Sequence, residues 1–138
     1  MKKVDKTDID ELQEAILKFV SERDWDKFQD LKSLGISLSL ESNEFLEHFQ
    51  WLSDKEVKTV KNDPRKKQEL VEELSDILSY LLIAASKLEM DISKEFLNKL
   101  EKNRKKYPLE NFSKKLSRSK DNKIYQKLRK EWMSKGNK

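Results

Sequence analysis

The chain has 138 residues, a length that fits one domain with a core of its own. Charged residues make up 41% and hydrophobic ones 36%, but 30 Lys and Arg nearly cancel 26 Asp and Glu, which argues against disorder by self-repulsion and against general polyanion binding. With 2 Gly, 2 Pro and no Cys, the sequence offers little punctuation for hairpins and excludes disulfides, thiolate metal sites and a Cys nucleophile, so an all-α fold is expected.

The N-terminus, "MKKVDKTDIDELQ", has lysines but no apolar core of a signal peptide, and no apolar run approaches the roughly 18 residues of a membrane span. A soluble, cytoplasmic protein is expected. Asp8 can cap a first helix of about 8–22, with Ile9, Leu12, Ile16 and Phe19 on its apolar side. "SERDWDKFQDLKS" breaks the helical period and puts Trp25 and Phe28 in a connection. Ser33 precedes a second helix, about 34–53, in which Leu38, Phe45, Phe49 and Leu52 form one apolar stripe. "SDKEVKTVKND" reads as a loop or a short helical turn. Asp63 before Pro64 is a start signal for a third helix of about 64–88, whose centre is the most apolar part of the chain. A fourth helix of about 92–106, with Asp91 or Ser93 at its start, is stopped by Pro108. Ile124, Leu128 and Trp132 suggest a weak final helix of about 120–134 in a basic region running from Lys99 to Lys138. Four main helices with short connections predict a four-helix bundle, residues 1–110, followed by a basic C-terminal extension, 111–138.

The second and third helices carry the same pattern when one is slid along the other so that Leu38 falls on Leu70. Glu41 and Glu44 then fall on Glu73 and Asp76, each pair on the margin of an apolar stripe and each followed by an apolar residue, Phe45 and Ile77. The i,i+3 spacing puts both acids of a pair on one face. If the stripes pack on one another, four carboxylates meet at one edge of the bundle. A like-charge pair at about 6 Å costs roughly 3 kcal/mol at an effective dielectric near 20, so a cation is needed there. Hard oxygen ligands without thiolate favour Mg²⁺ or Mn²⁺, with Ca²⁺ open as well. A di-iron bundle would need Glu-x-x-His on two helices, and His48 is the one His of the chain. His48 itself reads as a helix-surface or interface residue. A carboxylate-held Mg²⁺ keeps positions for phosphates, so phosphoryl chemistry follows.

These residues resemble the MazG-like all-α nucleoside triphosphate pyrophosphatases, and within them the dCTP-pyrophosphatase branch. "ESNE" (Glu41, Glu44), the spacer 45–72 and "ELSD" (Glu73, Asp76) match the family's E-x-x-E and E-x-x-D words and their separation. "FVSERDWDKF", "EHFQW", "ELSDILSYLL" and "KLEKNRKKYP" stand in the family's order over about residues 9–108, while the tail after Pro108 has no clear counterpart. The resemblance implies that Glu41, Glu44, Glu73 and Asp76 bind Mg²⁺ and that water attacks the α-phosphorus, giving monophosphate and pyrophosphate. One of the acids, or a hydroxide on the metal, activates that water; Glu41 is the candidate base. By the same resemblance Lys99, Asn103 and Arg104 contact phosphates or sugar, Tyr80 closes over the deoxyribose, and Trp25 and Trp51 enclose the base. Gln29 stands where the branch tends to carry His, and Ser33 where it tends to carry Asn, which touches base selectivity rather than hydrolysis. The family's assembly implies a homo-oligomer, a tetramer built as a dimer of dimers, with sites that use neighbouring chains.

Two rivals come from other classes. A basic module binding nucleic acid through the region after Lys99 would lose affinity steeply with salt and be indifferent to the acids. A pure interaction bundle would use the acids to pair with lysines across an interface. Neither accounts for two matched acid pairs, and nucleic acid is not the expected partner.

Overall fold

A computed structural model describes residues 7–112 and 117–136, and among them every regular element is helical. Six α-helices follow in order: α1 Ile9–Ser21, α2 Leu31–Glu47, α3 Asp54–Thr59, α4 Pro64–Lys87, α5 Ile92–Lys106 and α6 Arg118–Ser134. The chain divides into two units, Met1–Asp91 and Ile92–Lys138. No helix among the described residues is long and apolar enough to cross a membrane.

In the first unit each start is set by a side-chain cap. Asp8 accepts from the Glu11 N–H at 2.9 Å while Glu11 accepts from the Asp8 N–H at 3.1 Å, a closed capping box that satisfies two otherwise orphaned donors of α1. Asp30 accepts from the Ser33 N–H at 2.9 Å, so α2 starts at Leu31, ahead of the position that Ser33 would have capped. Ser33 instead donates its hydroxyl to Asp30 at 2.8 Å. α2 also ends earlier than its apolar pattern suggests, at Glu47. Past it, Ser53 forms a second capping box with Glu56 and opens α3, followed by a 3-10 turn at Val60–Asn62. The polar run after Leu52 is therefore a short helix. At Asp63 the carboxylate accepts from the N–H groups of Arg65 and Lys66, and Pro64 takes the first position of α4, where no N–H is needed.

Helices α1 and α2 both pack on α4. Val20, Leu34 and Ile83, one from each, make the buried centre, with Ile16, Leu17, Tyr80 and Ala84 against it. Leu34, only 1% exposed, is the most enclosed large side chain. Gln13 adds a polar tie, donating from Nε2 to the Leu82 carbonyl at 2.9 Å. Between α1 and α2, the left-handed Asp24 (φ 54°) reverses the chain into a 3-10 turn at Asp26–Phe28. That reversal brings Trp25 back edge-on to Phe19, with ring centres 5.8 Å apart.

The second unit pairs α5 with α6. Tyr107, just past α5, stacks on Tyr125 of α6 with ring centres 5.0 Å apart and planes 15° from parallel. Burial and the Tyr125 hydroxyl raise the Tyr107 phenol above its ordinary range. The final helix starts at Arg118, slightly before the expected position, because Ser117 caps it by accepting from the Lys120 N–H.

Candidate metal centre and adjoining cavity

The packing of α2 on α4 turns the half-buried margin of α2 toward the acids of α4. Glu41 and Glu73 are half-buried and Glu44 is exposed, and each offers a carboxylate oxygen within 4.8 Å of the other two. Among the described residues no Lys or Arg pairs with these acids; Arg65 goes to Glu69 at 3.1 Å and Lys87 to Asp26 at 3.3 Å. Burial raises the Glu41 carboxyl above the usual carboxylate range, and the charges of Glu44, Asp76 and Glu73 raise it further. Three carboxylates that no Lys or Arg pairs with, and with His48 3.7 Å from Glu73, are a donor set of hard oxygens, which fits Mg²⁺ or Mn²⁺ rather than a soft metal.

Asp76 is not in that mutual cluster. Three residues on from Glu73, it sits about 60° round α4 and lines a separate cavity of about 320 Å³. The cavity is walled by Ile16, Phe19 and Val20 of α1, by Trp25 and Gln29 of the connection, and by Asp76, Ser79, Tyr80 and Ile83 of α4. Asp76 thus joins two features: it faces the cavity, and its charge acts on Glu41. Arg23 covers the outer side of the aromatic wall, its guanidinium 3.6 Å from the Phe19 ring centre.

His48 follows the last residue of α2 and stands over α4, with Nδ1 3.8 Å from Glu69 and Nε2 3.7 Å from Glu73. It shares an open hollow with Glu44, Glu47 and Glu73, so it borders the acid cluster. Trp51, in the turn after α2, is 86% exposed and is not part of the cavity lining. Lys99, Asn103 and Arg104 stand on α5, in the second unit, and Arg104 pairs there with Glu101 at 3.3 Å.

The structure thus brings Trp25, Gln29, Tyr80 and Asp76 to one cavity, and Glu41, Glu44 and Glu73 to one cluster beside it. Phe19, Ser79 and Ile83 are cavity residues that the motifs did not single out. Ser79, Tyr80 and Ile83 follow Asp76 at i+3, i+4 and i+7, the helical spacing that would have found them.

Residues 36–122 match the MazG-like family. The chain belongs to that family. The match continues past Pro108 into the tail, where the sequence words offered no counterpart. Bos taurus dCTP pyrophosphatase 1 is 36% identical over 101 residues, which are 73% of this chain and 60% of that protein. The Homo sapiens dCTP pyrophosphatase 1 is 35% identical over 100 residues, 72% of this chain and 59% of its own length. The chain therefore spans about three fifths of the length of the curated relatives it matches. A solved pyrophosphatase from Archaeoglobus fulgidus superposes with a TM-score of 0.67 at 36% identity, covering 77% of this chain and 99% of that one.

Proposed function

We propose that this MazG-like protein hydrolyses (deoxy)nucleoside triphosphates, dCTP-like ones among them, to monophosphate and pyrophosphate, and so clears surplus or non-standard nucleotides. The observation that carries this reading is a carboxylate cluster without a Lys or Arg partner next to an aromatic cavity, with Asp76 lining the cavity and its charge acting on Glu41. The names of the mammalian relatives and of the archaeal structure point the same way.

Glu41, Glu44 and Glu73, with Asp76 beside them, would hold Mg²⁺, for which Mn²⁺ can substitute. Bound there, the ion supplies the positive charge that a triphosphate and its developing leaving group require. The protein's own groups do the rest. Trp25 and Phe19 give a base an apolar face, and Tyr80 closes the cavity floor against the sugar. Glu41 is assigned the further part of taking the proton of the attacking water. Lys99, Asn103 and Arg104 are assigned to phosphates or sugar. Trp51 is assigned to the base, from a turn exposed enough to serve a neighbouring copy. Assembly as a homo-oligomer, a tetramer made of two dimers, belongs to the same proposal, as does a cytoplasmic location.

The test is product analysis over a panel of deoxynucleoside triphosphates with and without Mg²⁺. Monophosphate plus pyrophosphate, lost with EDTA and in Glu73→Ala, is the expected result. Absence of turnover for every triphosphate at micromolar enzyme would return the acids to a structural role.

A further inference from the structure

Of the polar groups that line the cavity, one is shaped to read a flat edge. The Ser79 hydroxyl already donates to the Ser75 carbonyl at 2.9 Å. Asp76 has only acceptors, and the Tyr80 hydroxyl is a single group. Gln29 alone offers a donor and an acceptor side by side, and its side-chain amide makes no hydrogen bond among the described residues. Its backbone is fixed at both ends. The Gln29 N–H donates to the Asp26 carbonyl at 3.1 Å, closing the 3-10 turn, and the next residue, Asp30, caps α2. The root of this side chain is therefore held at the cavity wall, while its terminal amide stays free to turn over.

That freedom has a chemical consequence. Cytosine presents an amino donor beside a ring-nitrogen acceptor, and uracil presents a ring N–H donor beside a carbonyl acceptor. A primary amide complements the first in one orientation and the second after a half-turn, at two hydrogen bonds each. The geometry points to Gln29 as the residue that reads the base edge, and to a site that accepts amino and keto pyrimidines alike rather than cytosine alone. This rests on the nucleotide reading of the cavity.

The experiment compares kcat/KM for dCTP, dUTP and the 2-pyrimidinone deoxynucleoside triphosphate, whose 4-position carries only hydrogen, in the wild type and in Gln29→Met. The wild-type dCTP to dUTP ratio is expected to lie within about tenfold of one. Gln29→Met keeps the length and removes both hydrogen-bonding groups, so dCTP and dUTP should each fall by about tenfold relative to the 2-pyrimidinone substrate, which loses one hydrogen bond where they lose two. A merely structural role for Gln29 would lower all three substrates alike. A wild-type preference above about 100-fold, or an equal fall for all three, would overturn the inference. If no triphosphate is turned over at all, the hydrolase reading fails on its own account. Metal-free titration with dCMP, dUMP and the 2-pyrimidinone monophosphate then decides, through quenching of the Trp25 fluorescence that Trp25→Phe removes. Comparable affinities for dCMP and dUMP that Gln29→Met lowers more than that for the 2-pyrimidinone monophosphate would sustain the edge reading; an equal loss for all three, or no Trp25-dependent quenching, would end it.

Discussion

Glu41 is a carboxylate half-buried among carboxylates, so its charge is a liability to the bare fold. Glu41→Gln removes the charge while keeping the shape. In EDTA this variant is expected to be as stable as the wild type or more so, by up to about 1 kcal/mol once solvent screening is allowed for. In the wild type, millimolar Mn²⁺ or Mg²⁺ should raise the melting temperature by mass action, and Glu41→Gln should lose most of that rise. Calorimetry with and without EDTA reads both. A loss of about 2 kcal/mol in EDTA, the size of a buried partner left unsatisfied, would mean that Glu41 is a structural partner and not a ligand. The acids were legible in the sequence because i,i+3 spacing beside an apolar stripe survives folding unchanged. The separate facing of Asp76 was not. Three residues fall short of a full helical turn, and only the position of α1 decides what that remaining rotation brings into view. Gln29 was legible as a departure from a pattern, whereas its free amide required the cavity.

At the scale of single elements, α2 holds a residue that its local structure does not need. Gly35 lies inside the helix, exposed, and a methyl group added there meets nothing within 4 Å. Gly35→Ala is expected to stabilise the protein by about 0.5–1 kcal/mol through the entropy of the unfolded chain, measured by urea unfolding. Asp63→Ala should cost about 1 kcal/mol, since it strips the carboxylate from the N–H groups of Arg65 and Lys66 at the start of α4. The identities of the five longer helices were readable, because Pro64, Pro108 and the apolar periods mark them. Boundaries were less so. Asp30 and Ser33 are both good caps, and the choice fell to Asp30 because it takes the Ser33 N–H and hydroxyl together. The "SDKE" word at Ser53 is a capping-box pattern in plain sight, but a short stretch without an apolar period left a loop and a short helical turn both open.

At the scale of the whole molecule, five hydrophobic side chains are fully buried among the described residues, few for a chain long enough to hide a substantial core. Part of the surplus is aligned. On α4 and its C-cap, Leu74, Leu81 and Leu88 recur at heptad spacing and are 50%, 44% and 56% exposed, with Val71 one turn before them. Heptad spacing on a straight helix keeps leucines along one line, the pattern that a second helix fills by knobs-into-holes packing. α1 and α2 meet α4 through Tyr80, Ile83 and their neighbours, which point elsewhere. A second copy of the chain is the partner expected on this line, because like leucines on two copies can pack against each other about a twofold axis. Leu74→Glu with Leu81→Glu would bury two carboxylates per copy in that contact without touching the core on Ile83. Sedimentation at micromolar concentration should then show a smaller species than the wild type, while helical circular dichroism stays close to the wild-type value. If turnover depends on residues lent by a neighbour, as assigned to Trp51, activity falls with the mass and returns at high protein concentration. An unchanged sedimentation coefficient in the double variant would place the assembly surface elsewhere and leave the leucine line as ordinary exposed surface.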